Sequence, residues 1–148
     1  MIHNNNVIGK PYKNIFIFQD IFDSYIEHIS MTKELLDDLQ NTRFILFNYP
    51  GQSHTIYDKN GQFRTTEFIA IVDKLLFRLA TLPNQLGIIG KEDTIQLVGF
   101  GYGGYLLQSY LSACPSTYNV IKGALIINSS LYCTKKHKEI FESLINLY

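Results

Sequence analysis

Four short runs of the chain are rich in apolar residues that favour β-strands. They cover residues 15–18, 44–47, 94–98 and 124–127. The first two are unbroken apolar blocks bounded by polar residues, which is typical of strands buried on both faces of a parallel sheet. We therefore predict four strands, the second of which is stopped by Pro50 and Gly51, since these residues cannot continue a central strand.

Between these runs, apolar residues recur every three or four positions, as they do on one face of an α-helix. The first predicted helix is capped by Ser24 and is interrupted near Ser30. Its apolar positions are Ile26, Ile29, Leu35, Leu36 and Leu39. A second helix ends before Pro83, a third leads out of a glycine-rich turn towards Pro115, and residues 135–148 form a last, partly amphipathic helix.

Strands that alternate with helices at these distances indicate βαβ units with right-handed crossovers. We predict one α/β domain over residues 1–148, built on an open, mostly parallel sheet of about four strands with flanking helices. Ligands of such sheets bind at the carboxyl ends of the strands. A functional site is therefore expected in the segments after Phe18, Phe47, Val98 and Ile127.

Composition and charge narrow the classes of partner. The chain of 148 residues is 46% hydrophobic, and its 13 basic and 13 acidic residues cancel. A chain of this size can bury a core without disulfides or metal, and it lacks the clustered Lys and Arg that nucleic acid and anionic membranes require. Its two cysteines have no metal-ligand spacing, and it has neither a secretory signal nor an apolar run of about 20 residues. We expect an intracellular, cytoplasmic protein that binds no metal, cofactor, nucleic acid or membrane.

The glycine-rich turn at residues 99–104 permits a first interpretation as a nucleotide site. Gly99, Gly101 and Gly104 satisfy GxGxxG, in which glycines let a pyrophosphate approach a helix N-terminus. That motif also needs a carboxylate about 20 residues further on to hold the ribose. None lies between Gly104 and Lys138, so nucleotide binding is kept only as an alternative.

The same turn supports a second interpretation that covers more of the chain. Residues 97–104, LVGFGYGG, resemble the nucleophile elbow of the α/β-hydrolase superfamily, G-x-S-x-G followed by a small residue. Residues 18–24 are similar to the family's strand and loop that end in His-Gly and supply one oxyanion amide. Residues 48–53 are similar to its Asp-x-Pro-Gly-x-Gly-x-Ser loop, and residues 120–129 to the strand after the elbow helix. The four segments keep the family's order and separations over residues 14–132, which implies the first half of an α/β-hydrolase core.

The residues that carry the family's chemistry are replaced at the matching positions. Gly101 stands at the nucleophile, and Asn48 stands for the aspartate of the Pro-Gly loop. Gln19 and Asp20 stand for the His-Gly pair. The later strands that hold the acid and the histidine of the triad in the family have no counterpart. The resemblance therefore implies a catalytically inactive protein with no catalytic residue.

None of the histidines is predicted to act as a base in place of the missing triad. Ser53 and His54 are neighbours in sequence, and the side chains of such neighbours diverge. The other histidines lie on a terminus or on helices with polar neighbours, and we expect them at the surface: His3, His28 and His137.

The replaced residues are compatible with the binding of a small molecule. The backbone amides of Ile21 and Tyr102 are expected to converge where the family has its oxyanion hole, beside the start of the third helix. The candidate ligand-binding residues, for a small carboxylate or acyl ligand, are Gln19, Ile21, Gly101 and Tyr102.

Three hypotheses about function follow from these patterns. The leading one is a catalytically inactive α/β-hydrolase-like protein that acts by protein interaction or weak small-ligand binding. In it, the sheet edge left exposed after the fourth strand meets a protein partner or a second copy. The second hypothesis is an N-terminal fragment of a serine-hydrolase-like enzyme of the esterase, lipase or peptidase type. The third is a nucleotide-binding module that uses GxGxxG.

Overall fold

The computed structural model describes residues 2–3, 11–21, 23–50, 52, 65–81, 92–114 and 121–129. Its strands are β1 (Ile2–His3), β2 (Lys13–Phe18), β3 (Thr42–Leu46), β4 (Thr94–Phe100) and β5 (Ile121–Ile127). Its helices are α1 (Glu27–Asp38), α2 (Thr65–Thr81) and α3 (Tyr102–Ala113). The four predicted strands and the first three predicted helices are confirmed, whereas the helix predicted for residues 135–148 lies outside the described ranges. Within those ranges, no helix has both the length and the apolar content needed to cross a membrane.

The strands form one sheet in the order β1-β3-β2-β4-β5. Strands β2 to β5 are parallel, and the two-residue β1 pairs antiparallel with β3. Strand β2 lies at the centre, where Phe16 is paired with Ile45 on one side and with Leu97 on the other. The predicted open, mostly parallel sheet is therefore confirmed. The apolar pattern does not predict β1, because two residues carry no periodicity.

A hydrophobic core lies on each face of the sheet, because successive residues of a strand point to opposite faces. The larger core joins Phe16 and Phe18 of β2 to α2 and α3. Its other buried members are Tyr49, Phe68, Val72, Leu76, Ile95, Leu97, Leu106, Leu107 and Tyr110. The smaller core joins Ile17 of β2 to Leu36 of α1 and Phe44 of β3. With helices on both faces, the loops at the carboxyl ends of β2, β3 and β4 meet at one edge of the sheet.

The start of α1 differs from the prediction in two respects. The helix is continuous through Ser30, so the predicted interruption is wrong. Its N-cap residue is Ile26, and Ser24, the predicted cap, lies two positions earlier, where its hydroxyl accepts the Ile26 amide at 3.3 Å. The Ser24 amide donates to Glu27 Oε2 at 2.7 Å, and the Ser24 hydroxyl bonds the same oxygen, which holds the pKa of Glu27 below its ordinary value.

The buried face of α1 also differs from the predicted apolar face. His28, Thr32 and Leu36 are spaced four residues apart and are buried, because side chains at that spacing share one face of a helix. Ile26 and Leu35, which belong to the predicted apolar face, are 59% and 42% exposed. Apolar spacing alone therefore identifies the helix correctly but not the side that meets the sheet.

An apolar groove runs between α1 and β5, and we call it the α1–β5 groove. It has a volume of about 490 Å³, and its lining includes Leu35 and Leu39 of α1 and Leu125 and Ile127 of β5. Leu125 is 56% exposed and Ile127 is 36% exposed. Strand β5 lies at one end of the sheet order, so it combines an edge with an apolar surface.

Candidate functional site

The turn between β4 and α3 consists of one residue, Gly101. Its φ of +51° and ψ of −119° lie in a region that side chains disfavour and that costs a non-glycine residue about 1–3 kcal/mol. The Gly101 amide donates to the Ile127 carbonyl at 3.0 Å, and the Gly101 carbonyl accepts the Tyr105 amide at 3.2 Å. The turn is therefore held both by the neighbouring strand and by the first turn of the helix.

The other glycines of the turn let α3 pack closely against the sheet. A Cβ atom on Gly99 would lie 2.6 Å from the Gly104 Cα atom, and a Cβ on Gly104 would lie 2.6 Å from the Ser129 Cβ. A Cβ on Gly103 would overlap the carbonyl oxygen of Phe18. Close packing of helix on strand thus accounts for the glycine pattern that also matches GxGxxG.

The side chain of Asp20 occupies the space next to Gly101. A Cβ atom built on Gly101 would overlap the Asp20 Oδ2 atom, so this carboxylate stands where a side chain at position 101 would lie. Its other oxygen, Oδ1, accepts the Ile21 amide at 2.7 Å and the Tyr102 amide at 3.1 Å. The two amides do converge, and the group on which they converge is a carboxylate of the chain itself. Binding of an external ligand by these residues stays a prediction.

The charge of Asp20 suits its position at the start of α3. The first amides of a helix have no partner within the helix, and the helix dipole places partial positive charge there. The bond from the Tyr102 amide supplies one of these donors with a carboxylate acceptor, across 82 positions of sequence. Asp20 therefore fastens the loop after β2 to the first turn of α3.

Gln19, a candidate ligand-binding residue, is fully buried and holds two loops together. Its side-chain nitrogen donates to Gln52 Oε1 at 3.0 Å and approaches Asn48 Oδ1 at 3.3 Å. Gln52 in turn donates to the Ile21 carbonyl at 2.6 Å and accepts the Tyr49 amide at 2.9 Å. Gln19, Asn48 and Gln52 thus form a neutral amide network. Gln52 was not predicted, because two of its partners, Gln19 and Ile21, lie in a different loop.

Tyr49 is a second residue of the site that sequence reasoning missed. Its hydroxyl donates to the Gln19 carbonyl at 2.7 Å, and its ring packs edge-to-face on Phe47 and Phe68. Burial raises the pKa of the Tyr49 hydroxyl well above its ordinary value, so the group remains a hydrogen-bond donor at neutral pH. A tyrosine has a polar hydroxyl group on an apolar ring. Its position directly after a buried strand could have identified Tyr49 from the sequence.

The prediction that His28 lies at the surface is wrong. The residue is 8% exposed, its ring stacks on Phe100 with centroids 5.3 Å apart, and its Nε2 atom lies 3.4 Å from Asp23 Oδ2. His28 is buried because it lies on the side of α1 that packs against the sheet. Ser53 and His54, which were considered as a nucleophile and a base, lie outside the described residues.

We expect Gly101→Ala to lower the free energy of unfolding by about 1–3 kcal/mol, because it adds a side chain at positive φ and displaces the Asp20 carboxylate. Urea unfolding followed by circular dichroism measures the change. Gly123→Ala is the matched control, since a Cβ there meets nothing within 4 Å, and it should alter stability by less than about 0.5 kcal/mol. Equal losses in the two variants would contradict this assignment of Gly101.

Comparison with known proteins places this geometry in a known fold. No protein-family model and no curated protein matches the sequence. A solved structure from work on carboxylesterases of the ammonia-oxidizing thaumarchaeon Nitrososphaera gargenis matches with a TM-score of 0.66 and 18% identity, over 96% of this chain and 44% of that chain. The monoacylglycerol lipase of Paleococcus ferrophilus matches with a TM-score of 0.61 and 16% identity, over 98% of this chain and 48% of that chain. Both are α/β-hydrolases. The chain therefore has an α/β-hydrolase-like fold, and it spans less than half the length of either structure.

Proposed function

We propose that this chain is a catalytically inactive α/β-hydrolase-like unit that acts through protein contacts along β5. The catalytic inactivity is inferred from the residues at the turn before α3. Gly101 offers no nucleophile, and the Asp20 carboxylate fills the space beside it. The second half rests on the exposed apolar surface of β5 at the edge of the sheet.

Acyl transfer by this fold would require three groups at the turn. A nucleophile must attack the carbonyl, a base must take its proton, and amides must be free to bind the oxygen that becomes negative. Here the Ile21 and Tyr102 amides already bind a carboxylate, and its charge opposes a second negative charge beside it. These features disfavour hydrolysis of an ester or amide at this turn.

We expect the native protein to hydrolyse p-nitrophenyl acetate no faster than an equal concentration of heat-denatured chain, and to take no label from a fluorophosphonate probe. Release of p-nitrophenol and intact-protein mass spectrometry measure the two outcomes. Asp20→Asn serves as the control, because it keeps the shape of the side chain and removes its charge. Saturable hydrolysis by the native protein that is lost in Asp20→Asn would refute catalytic inactivity.

The protein contact is proposed for β5 because, among the described strands, only β4 pairs with it. β4 pairs with one of its edges, and the sheet order ends there. An exposed strand edge is a template for another strand, and native proteins protect such edges with charges, proline or bulges. Strand β5 has one charged residue, Lys122, which lies at an irregularity in the register with β4. The strand after it exposes Leu125, Ile126 and Ile127 and has neither charge nor proline. This part of the edge favours association.

The occupant that we propose is β5 of a second copy of the chain, paired antiparallel about a twofold axis at Ala124. In this register Leu125 of one copy lies opposite Gly123 of the other, where a side chain meets nothing within 4 Å. Lys122 lies opposite Ile126, so like charges are not brought together. The pairing would join the α1–β5 grooves of the two copies into one apolar surface.

We expect sedimentation velocity between about 1 and 100 µM, a range that reports micromolar dissociation constants, to show a dimer. Leu125→Lys should shift the chain to monomer, because it places a charge in the paired edge. Ile71→Lys on α2 is the matched control: Ile71 is 52% exposed and Leu125 is 56% exposed. A monomer at every concentration, or equal effects of the two variants, would contradict association of two copies through β5.

A second candidate is favoured by the lengths of the matched structures. The chain covers 44% and 48% of them, which fits an amino-terminal part of a longer hydrolase-like product whose own next strand lies on β5. Sequencing the transcript beyond the codon for Tyr148 separates the two candidates. Nucleotide binding has less support, because the Asp20 carboxylate sits at the helix start that a pyrophosphate would need.

A further inference from the structure

We propose that residues 135–148 of this chain form a helix that docks in the α1–β5 groove and covers the apolar face of β4 and β5. This docking uses a face of the sheet, whereas the contact proposed above uses the edge of β5, so neither depends on the other. It assigns a place to the amphipathic segment that the sequence predicts and that lies outside the described residues.

The two faces of β4 are covered unequally. Ile95 and Leu97 point towards α2 and α3 and are buried, whereas Val98 and Phe100 are only half-buried and line the groove. Strand β4 lies between β2 and β5, so it is an interior strand of the sheet. Interior strands of a parallel sheet are ordinarily covered by helices on both faces. The groove is therefore a place where a covering element is lacking among the described residues.

The walls of the groove are apolar residues at regular spacing. On α1, Met31, Leu35 and Leu39 are four residues apart, so they share one side of the helix. On β5, Leu125 and Ile127 are two residues apart and share one face of the strand. Apart from one glutamine, no polar side chain lines the groove within the described part of the chain. An occupant of this groove must therefore present an apolar surface to both walls.

The segment at residues 135–148 has such a surface. From Glu139 onwards, its apolar and polar residues fall on opposite sides of a helix. The polar side consists of Glu139, Glu142, Ser143 and Asn146. The apolar side consists of Ile140, Phe141, Leu144, Ile145, Leu147 and Tyr148. An isolated helix of about 14 residues is marginally stable in water, so this apolar side needs a partner.

The connection from β5 brings the segment to this groove. Strand β5 ends with Ile127, and the seven residues 128–134 can span about 24 Å, more than twice the diameter of a helix. A helix of 14 residues is about 21 Å long, and the seven residues of β5 extend over about 23 Å. A helix that returns along β5 therefore covers the whole strand. On the opposite face α3 already contacts β4 and β5, which leaves the groove as the open face.

Charge favours the same direction of the helix. A helix that returns from the carboxyl end of β5 starts at the end of the sheet where α1 also starts. The basic run at residues 135–138, KKHK, then lies at the same end of the sheet as Asp23 and Glu27. Opposite charges therefore share this end, and the segment runs beside α1 in the same direction.

Hydrogen exchange of the 148-residue chain, followed by mass spectrometry, tests the docking. We expect the amides of residues 141–148 to exchange at least about tenfold more slowly than in an unfolded chain. Leu35→Asp should remove this protection, because it places a charge in the α1 wall of the groove. Ile71→Asp on α2 is the matched control: Ile71 is 52% exposed and Leu35 is 42% exposed. Both residues lie away from the edge of β5, so the result is independent of association through that edge.

Exchange of residues 141–148 at the unfolded rate in the native chain would overturn the proposal, as would equal loss of protection in the two variants. Protection that rises with protein concentration between about 1 and 100 µM would place the segment on a second copy and would also overturn docking within one chain.

A measurement on the native chain covers the case in which Leu35→Asp does not fold. Nuclear Overhauser contacts should join the ring of Phe141 to the methyl groups of Leu35 or Leu125. Their absence, in a spectrum that shows the contacts of the smaller core around Ile17 and Phe44, would overturn the proposal.

Discussion

The contact between the Asp20 carboxylate and the Tyr102 amide is the interaction on which the site depends. It joins the loop after the central strand β2 to the first turn of α3, over 82 positions of sequence. The loop itself is braced by an amide network through Gln19 and Gln52 and by the buried hydroxyl of Tyr49. Around this contact the carboxyl ends of β2, β3 and β4 form one corner of the fold, as parallel sheets allow.

Charge and space act together at this corner. The positive end of α3 favours an anion, and in this chain the anion comes from the protein. The space that it fills is available only because position 101 has no side chain. The Ile21 and Tyr102 amides therefore have an acceptor without a ligand, which distinguishes them from the donors of a site that waits for substrate. Apolar surface remains instead at β5 and along the α1–β5 groove, whose lining also includes Ile15 and Ile17 of β2.

The parts of the fold that follow from local pattern could be predicted from the sequence, and the parts that follow from distant contacts could not. The strands at residues 15–18 and 44–47 were recognisable because each is an unbroken apolar run between polar residues. The burial of His28 and the exposure of Leu35 depend on how α1 is rotated against the sheet, which spacing alone leaves undetermined. The convergence of the Ile21 and Tyr102 amides was expected only from the resemblance to the family's oxyanion hole. The binding of both amides by Asp20 could not be anticipated, since it depends on how the loop after β2 lies against the start of α3.

The central claim is that the Asp20 carboxylate and a side chain at position 101 exclude each other. A double-mutant cycle of unfolding free energies tests it directly, with Gly101→Ala made in the native background and in Asp20→Gly. The cost of the alanine should fall by at least about 1 kcal/mol when the carboxylate is absent, because the overlap and the displaced hydrogen bonds are then removed. The same cost in both backgrounds would show that the two residues do not interact, and would contradict the assignment of Asp20 as the group that closes this site.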